Sequence, residues 1–146
     1  MLGGFLKKLF GFKEENKHIK IVVVDDMETN RTFFKRVLEK RGYTVLTAVN
    51  GLEGIDLIRK ENPKLVLLDF VMPGMKGPEV CKIIKMGEAT KDIPVLFLTS
   101  VDAPTDIIEC YEQGAENFLT KPIQAGELVK HVEMILEDYK ELPHKS

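Results

Sequence analysis

The sequence predicts an α/β protein in which one parallel five-stranded sheet, of order 2-1-3-4-5, carries helices on both faces. From Ile19 onward, short apolar runs alternate with amphipathic segments, the pattern of successive βα units. Three of the runs are almost continuously apolar, as in strands that are covered on both sides. Right-handed crossovers can cover both faces only if the winding reverses once, which gives this strand order.

Five strands are predicted, and we name them β1 to β5. They span residues 19–24, 43–47, 64–68, 95–98 and 117–120. The first, third and fourth contain the nearly unbroken apolar runs IVVV, LVLL and VLFL. These three strands are therefore expected at the centre of the sheet.

Five helices, α1 to α5, are predicted between and after the strands, at residues 28–40, 52–60, 78–86, 104–113 and 125–138. Gly42 and Gly114 follow two of these helices, where a left-handed residue commonly ends a helix. Pro78 and Pro104 stand where a first helical turn accepts proline. The positions of these glycines and prolines thus agree with the helix bounds that the periodicity predicts.

The chain divides into an N-terminal extension at residues 1–17, a folded domain at 18–140 and a short tail at 141–146. The extension has an apolar stripe at helical spacing, and its lysines lie off the stripe; the stripe comprises Leu2, Phe5, Leu6, Leu9 and Phe10. Such a helix could lie on an anionic membrane surface, in a partner's groove or on this domain. Three glycines weaken helix formation, so a mostly disordered tail is the remaining alternative.

The composition is that of an ordinary globular protein, with 44% hydrophobic and 30% charged residues. The net charge of −2 gives no reason to expect nucleic-acid binding. Two cysteines without metal-type spacing and three scattered histidines suggest neither zinc nor disulfides. We expect a cytoplasmic protein, and the membrane alternative would attach it peripherally to the inner membrane through residues 2–12.

Polar residues stand at the carboxyl ends of four predicted strands, where open α/β sheets bind their ligands. They are Asp25 and Asp26 after β1, Asp69 after β3, Thr99 after β4 and Lys121 after β5. Taken singly, an aspartate pair is more often a helix cap, and a Lys-Pro pair is more often a turn. Their joint occurrence at one edge of one sheet predicts a functional site.

The chemistry of this edge points to phosphoryl transfer. Clustered carboxylates repel one another unless a cation lies between them, and Mg2+ accepts a few carboxylates while keeping an open position for a phosphoryl oxygen. An aspartate can attack phosphorus and form an acyl phosphate. Lys121 and the hydroxyl of Thr99 could then bind the remaining phosphoryl oxygens.

At these residues the chain resembles the response-regulator receiver family of two-component signalling, and in particular its stand-alone, chemotaxis-regulator-like members. The resemblance covers residues 19–138 and rests on four motifs: IVVVDD, LVLLDFVMPGMKG, PVLFLTS and NFLTKPI. It implies a flavodoxin-like fold with five βα units. It also implies a signalling module that catalyses its own phosphorylation and slow dephosphorylation, rather than an enzyme with a separate substrate.

The resemblance implies a role for each matched position. Asp69 would be the phosphorylation site, Asp26 a direct Mg2+ ligand, Asp25 a ligand mainly through water, and Val71 a ligand through its backbone carbonyl. Thr99 would be the switch hydroxyl, Lys121 the phosphate-binding ammonium, and Phe118 the aromatic residue that turns inward on activation. The bond between Lys121 and Pro122 would be cis.

The same resemblance implies the partners. A histidine kinase or histidine phosphotransfer protein would donate the phosphoryl group, and a separate downstream protein would read the face formed by α4, β5 and α5. Val71 and Val101, two positions after the acceptor and after the switch hydroxyl, are apolar and cannot orient a hydrolytic water. We therefore expect slow self-dephosphorylation.

Two other functions fit the same residues less well. A phosphatase of the aspartyl-phosphate type would carry a second catalytic aspartate two residues after the nucleophile and a lid over the substrate. Here Phe70 and Val71 follow Asp69, and no insertion is long enough for a lid. A receiver-like scaffold that is never phosphorylated would be expected to lack one of the acidic or switch residues, and all are present.

Overall fold

In the computed structural model of the protein, residues 11–100 and 117–141 are described, together with Ile108 and Glu112. Five parallel strands form one sheet in the order β2-β1-β3-β4-β5, which confirms the predicted topology. Their bounds are β1 Lys20–Val24, β2 Thr44–Ala48, β3 Leu65–Asp69, β4 Val95–Thr99 and β5 Asn117–Thr120.

Four of the predicted helices lie in the described part of the chain: α1 Glu28–Glu39, α2 Gly51–Glu61, α3 Gly77–Met86 and α5 Ala125–Glu141. A short 3-10 helix, Glu14–Asn16, precedes β1. The predicted α4 at 104–113 falls outside the described residues, as do Pro104 and Gly114, except that Ile108 and Glu112 are helical. None of the described helices combines the length and the apolar character needed to cross a membrane.

Local sequence signals account for the ends of these helices. Asn50 caps α2, since its side-chain oxygen accepts a hydrogen bond from the backbone of Glu53 at 2.9 Å. Gly42 follows α1 with φ of 102°, the left-handed conformation that was predicted. Pro78 occupies the first turn of α3, also as predicted.

The core consists of two layers, one on each face of the sheet. Along β1, Ile21 and Val23 point to the layer under α1 and α5, while Val22 and Val24 point to the layer under α2 and α3. Every residue of β3 and β4 is buried, and β1 is buried beyond its first residue. Burial on both faces is the reason that these central strands have almost unbroken apolar sequences.

Strands β3 and β4 end one residue later than predicted, on Asp69 and Thr99 themselves. Asp69 pairs in register with Leu98, and Thr99 pairs with Thr120. The prediction ended each strand at its last apolar residue, but the backbone ladder continues through the polar residue. The sheet therefore fixes the backbone of both residues at its carboxyl edge.

Candidate functional site

Three carboxylates meet at the carboxyl edge of the sheet. Asp25 is fully buried, Asp69 is 6% exposed, and Asp26 is exposed to solvent. One oxygen from each of the three lies within 4.8 Å of the others. The structure thus brings together the carboxylates that the sequence placed on two separate strands.

The first turn of α1 holds the Asp25 side chain in place. Its Oδ1 accepts a hydrogen bond from the backbone N–H of Met27 at 2.9 Å, and the Asn30 amide lies 3.3 and 3.2 Å from the two carboxylate oxygens. Arg31 donates to the backbone carbonyl of Asp25 at 2.7 Å. Sequence reasoning missed Asn30 and Arg31, although their positions five and six residues after Asp25 place them on this helical turn.

Lys121 connects the two carboxylates that come from different strands. Its Nζ lies 3.0 Å from Oδ2 of Asp25 and 3.2 Å from Oδ1 of Asp69. Its backbone N–H donates to the carbonyl of Thr99 at 2.7 Å, and its peptide bond to Pro122 is cis, as predicted. The ammonium therefore forms ion pairs with both acidic groups at the centre of the edge.

Asp69 has an altered acidity in this setting. Burial, followed by the charge of Asp25, raises the pKa of Asp69 from its ordinary value of 3.8 to about 6, although the nearby Lys121 acts in the opposite direction. A hydrogen bond with Asp26 contributes to the increase. In this site Asp69 therefore binds a proton, or another cation, more tightly than an aspartate in water does.

A glycine brings the start of α3 against the backbone of Asp69. The N–H of Gly77 donates to the carbonyl of Phe70 at 3.0 Å, closing the loop that follows the strand. A Cβ at this position would collide with the carbonyl oxygen of Asp69. Only glycine fits here without displacing that backbone, and its role was not recognised from the sequence.

The remaining predicted residues surround this cluster. Thr99 is buried at the end of β4, beside the backbone of Lys121. Phe118 is half-buried on β5, in register with Phe97, and packs against the core layer under α2 and α3. Val71 is 55% exposed, whereas Val101 lies outside the described residues.

Comparison with known proteins decides the family. A family model described as the response regulator receiver domain matches residues 21–133. The chain belongs to the response regulator receiver family. Protein PilH of Pseudomonas aeruginosa is 38% identical over 117 residues, which cover 80% of this chain and 97% of PilH. The similarity therefore extends over nearly the whole length of PilH and over four fifths of this chain.

Solved structures give the same result for the fold of this receiver domain. The chemotaxis protein CheY4 of Vibrio cholerae matches with a TM-score of 0.78 and 31% identity, covering 80% of this chain and 98% of that one. The signal receiver domain of a signal transduction histidine kinase from Syntrophus aciditrophicus matches with a TM-score of 0.77 and 31% identity, covering 87% and 96%. The receiver fold and its place in two-component signalling are thus established for this chain.

Proposed function

We propose that this receiver domain accepts a phosphoryl group on the carboxylate of Asp69, in a Mg2+-dependent reaction, from a phosphohistidine of a histidine kinase or phosphotransfer protein. The observation that carries the proposal is the contact of Asp69, at the end of a central strand, with the Lys121 ammonium and two further carboxylates. A nucleophilic oxygen, an adjoining cation and metal-type ligands are the groups that phosphoryl transfer to aspartate requires.

Mg2+ would be held by Asp25, Asp26 and Asp69, with the backbone carbonyl of Val71 as a further ligand. The three carboxylates supply only oxygen donors, within 4.8 Å of one another, and hard oxygen donors suit Mg2+ better than softer metals. When bound, the ion supplies positive charge for the oxygens of the transferring group. Because Lys121 and Asn30 already donate hydrogen bonds to the Asp25 carboxylate, Asp25 would contact the ion mainly through water.

In the transfer itself, a carboxylate oxygen of Asp69 attacks phosphorus. The new P–O bond forms as the P–N bond of the phosphohistidine breaks, and the imidazole nitrogen keeps the electron pair. Lys121, already 3.2 Å from Oδ1 of Asp69, would bind one equatorial phosphoryl oxygen, and the hydroxyl of Thr99 would bind another. Without a metal ion, burial and the charge of Asp25 raise the pKa of Asp69 to about 6, and a bound divalent cation would favour the carboxylate form that attacks phosphorus.

Thr99 and Phe118 would transmit the change from the phosphorylated site to the surface of the domain. When the Thr99 hydroxyl binds the phosphoryl group, Phe118 turns inward and the face formed by α4, β5 and α5 changes for a separate partner protein. Phe118 is half-buried against the core layer under α2 and α3, beside Phe97, so its ring can still become more buried. The phosphoryl group would favour the inward arrangement by binding to it more strongly.

The proposal includes the organisation of the chain. Residues 18–140 would form the receiver unit, 1–17 an extension and 141–146 a tail, in a cytoplasmic protein. The unit would catalyse its own phosphorylation and dephosphorylation rather than act on a separate substrate, and would contact no nucleic acid directly. The net charge of −2 supports the last of these statements.

The proposal is tested by locating the phosphoryl group. The full chain is incubated with acetyl phosphate, with Mg2+ or with a chelator, and borohydride then reduces any acyl phosphate to homoserine, which mass spectrometry locates. We expect homoserine at position 69, and only when Mg2+ is present. Homoserine at another position, or equal labelling in the chelator, would contradict the proposal.

A Val71→Asn substitution is expected to shorten the lifetime of the acyl phosphate several-fold. The exposed valine cannot hydrogen-bond water, whereas an asparagine amide two residues after Asp69 can orient an attacking water. The measurement is loss of label at pH 7 with Mg2+ after the phosphodonor is removed. Val71→Leu, which remains apolar, is the control, and equal lifetimes for the wild type and Val71→Asn would refute the expectation.

An Asn30→Ala substitution is expected to weaken divalent-metal binding about threefold to fivefold, less than is typical for such supporting residues, because Lys121 and the Met27 N–H still hold Asp25. Mn2+ provides the readout, since the fraction bound is measured by electron paramagnetic resonance without phosphorylation. Thr29→Ala, on the same helical turn, is the matched control. If both variants bind Mn2+ like the wild type, Asn30 has no positioning role.

A further inference from the structure

The segment before β1 is attached to the C-terminal end of α1. The N–H of Lys13 and the side-chain amide of Asn16 both donate to the carbonyl of Arg41, at 3.2 and 2.9 Å. Asn16 is buried, and the carbonyl of Lys17 accepts a hydrogen bond from the Thr44 hydroxyl at 2.7 Å. Residues 13–17 are therefore the part of the extension that is bonded to the receiver unit, beside Arg41.

The direction in which the chain leaves is also constrained. Gly11 has φ of 78°, which favours glycine, and a Cβ there would overlap the guanidinium group of Arg41. That guanidinium is itself held by Glu133 of α5, with 2.6 Å between Nη2 and Oε1. Gly11 is thus a tight turn against an ion-paired side chain, beside the C-terminal end of α1.

A partly apolar surface begins at this place. We call it the α1 outer face and define it by Thr29, Thr32, Phe33, Arg36 and Val37, which line an open cavity of about 590 Å³. Phe33 and Val37 are half-buried, because they pack on the core from above. Within the described part of the chain, the outward surfaces of Phe33 and Val37 are open to a ligand.

The length and chemistry of residues 1–10 match this surface. Ten helical residues extend roughly 15 Å, and α1 from Lys40 back to Glu28 extends roughly 18 Å. The stripe of residues 2, 5, 6, 9 and 10 offers leucine and phenylalanine for Phe33 and Val37, while Lys7 and Lys8 lie off the stripe.

We propose that residues 1–10 form a helix alongside α1, running in the same direction, and dock their apolar stripe on the α1 outer face of the same molecule. The fixed turn at Gly11 favours this occupant over a membrane or a second protein, since it starts the segment next to the surface and limits the entropy lost on docking. Docking covers α1 against other proteins until the segment is displaced. It does not depend on the phosphorylation of Asp69.

Photo-crosslinking in the full chain tests the proposal. The photoreactive residue p-benzoylphenylalanine replaces Phe5 on the stripe, or Lys8 off it as the matched control, in an equal mixture of ¹⁴N and ¹⁵N protein. We expect the probe at position 5 to link to residues 28–40 of its own copy, and the probe at position 8 to do so about tenfold less. Links between isotopes would instead show docking on a second copy, and links to other elements would also overturn the proposal.

Two further variants keep the test independent of any single side chain. Thr32→Arg, which fills the α1 outer face, should reduce crosslinking from position 5, whereas Lys35→Arg, exposed on α1 but outside that face, should not. Amide exchange of residues 5–10 should be about tenfold faster in Leu6→Asp than in Lys8→Asp. If these amides are protected only when vesicles of anionic phospholipid are added, the segment binds membranes and the proposal fails.

Discussion

Replacement of Asp69 by alanine is expected to reduce phosphoryl incorporation from acetyl phosphate by at least about a hundredfold, because the variant lacks the nucleophile. The neighbouring carboxylates cannot substitute for it equally. Asp25 is fully buried and already bonded to Lys121 and Asn30, so its oxygens are occupied. The measurement is the label bound per chain at saturating Mg2+, at equal times and phosphodonor concentrations.

Asp56→Ala is the matched control for this experiment. Asp56 is exposed on α2, so this variant loses one surface carboxylate without touching the edge of the sheet. It should label like the wild type, and circular dichroism should show both variants folded. If Asp69→Ala takes up as much label as Asp56→Ala, Asp69 is not the acceptor. Label on Asp26, the exposed member of the cluster, would then identify the alternative nucleophile.

The topology could be predicted because strands that are buried on both faces have nearly unbroken apolar sequences. Each residue of β3 and β4 is packed by helices, so apolar residues fill these strands without interruption. The strand bounds were predicted less well than the strand order: the starts of β1, β2 and β3 were each predicted one residue early, whereas the bounds of β5 match. The strand ends at Asp69 and Thr99 were also misplaced, since hydrogen bonding of the backbone does not depend on polarity.

The site could be predicted in outline because parallel strands place their carboxyl ends together. That rule places Asp25, Asp69 and Lys121 at one edge from the sequence alone. It could not supply the bonds that orient them. The amide of Asn30 reaches Asp25 only because α1 begins at Glu28 and turns back toward the strand, and this geometry depends on helix packing rather than on spacing alone. The contact between Gly77 and Asp69 has the same origin.

A second large effect is expected in the stability of the protein without metal. Asp69→Asn should raise the free energy of unfolding at pH 7 by on the order of 1–2 kcal/mol, because the neutral amide avoids both the burial of a charge and the repulsion from Asp25. Folding raises the pKa of Asp69 from 3.8 to about 6, so the folded state binds this proton more tightly than the unfolded chain. The Asp69 contribution to stability therefore falls as the pH rises from about 4 to 6.

The pH profile distinguishes this cause from a simple packing change. Below about pH 3, Asp69 is neutral in both states, so the advantage of Asp69→Asn should nearly vanish; above about pH 7 it should be complete and constant. Urea unfolding at several pH values, with a chelator present, measures it, and Asp56→Asn is the control. An advantage that stays the same from pH 4 to pH 7.5 would show that charge on Asp69 is not its source.

Mg2+ should reduce the stability advantage of Asp69→Asn, because the ion binds the folded state and neutralises the carboxylates that repel one another. At a concentration about ten times its dissociation constant, a ligand specific for the folded state stabilises it by about 1.4 kcal/mol. The wild type should gain this amount at pH 7, whereas Asp69→Asn, which has lost one of the three carboxylates, should gain less. Equal gains in both proteins would mean that the ion binds elsewhere, and that the acidity of Asp69 has a purely structural origin.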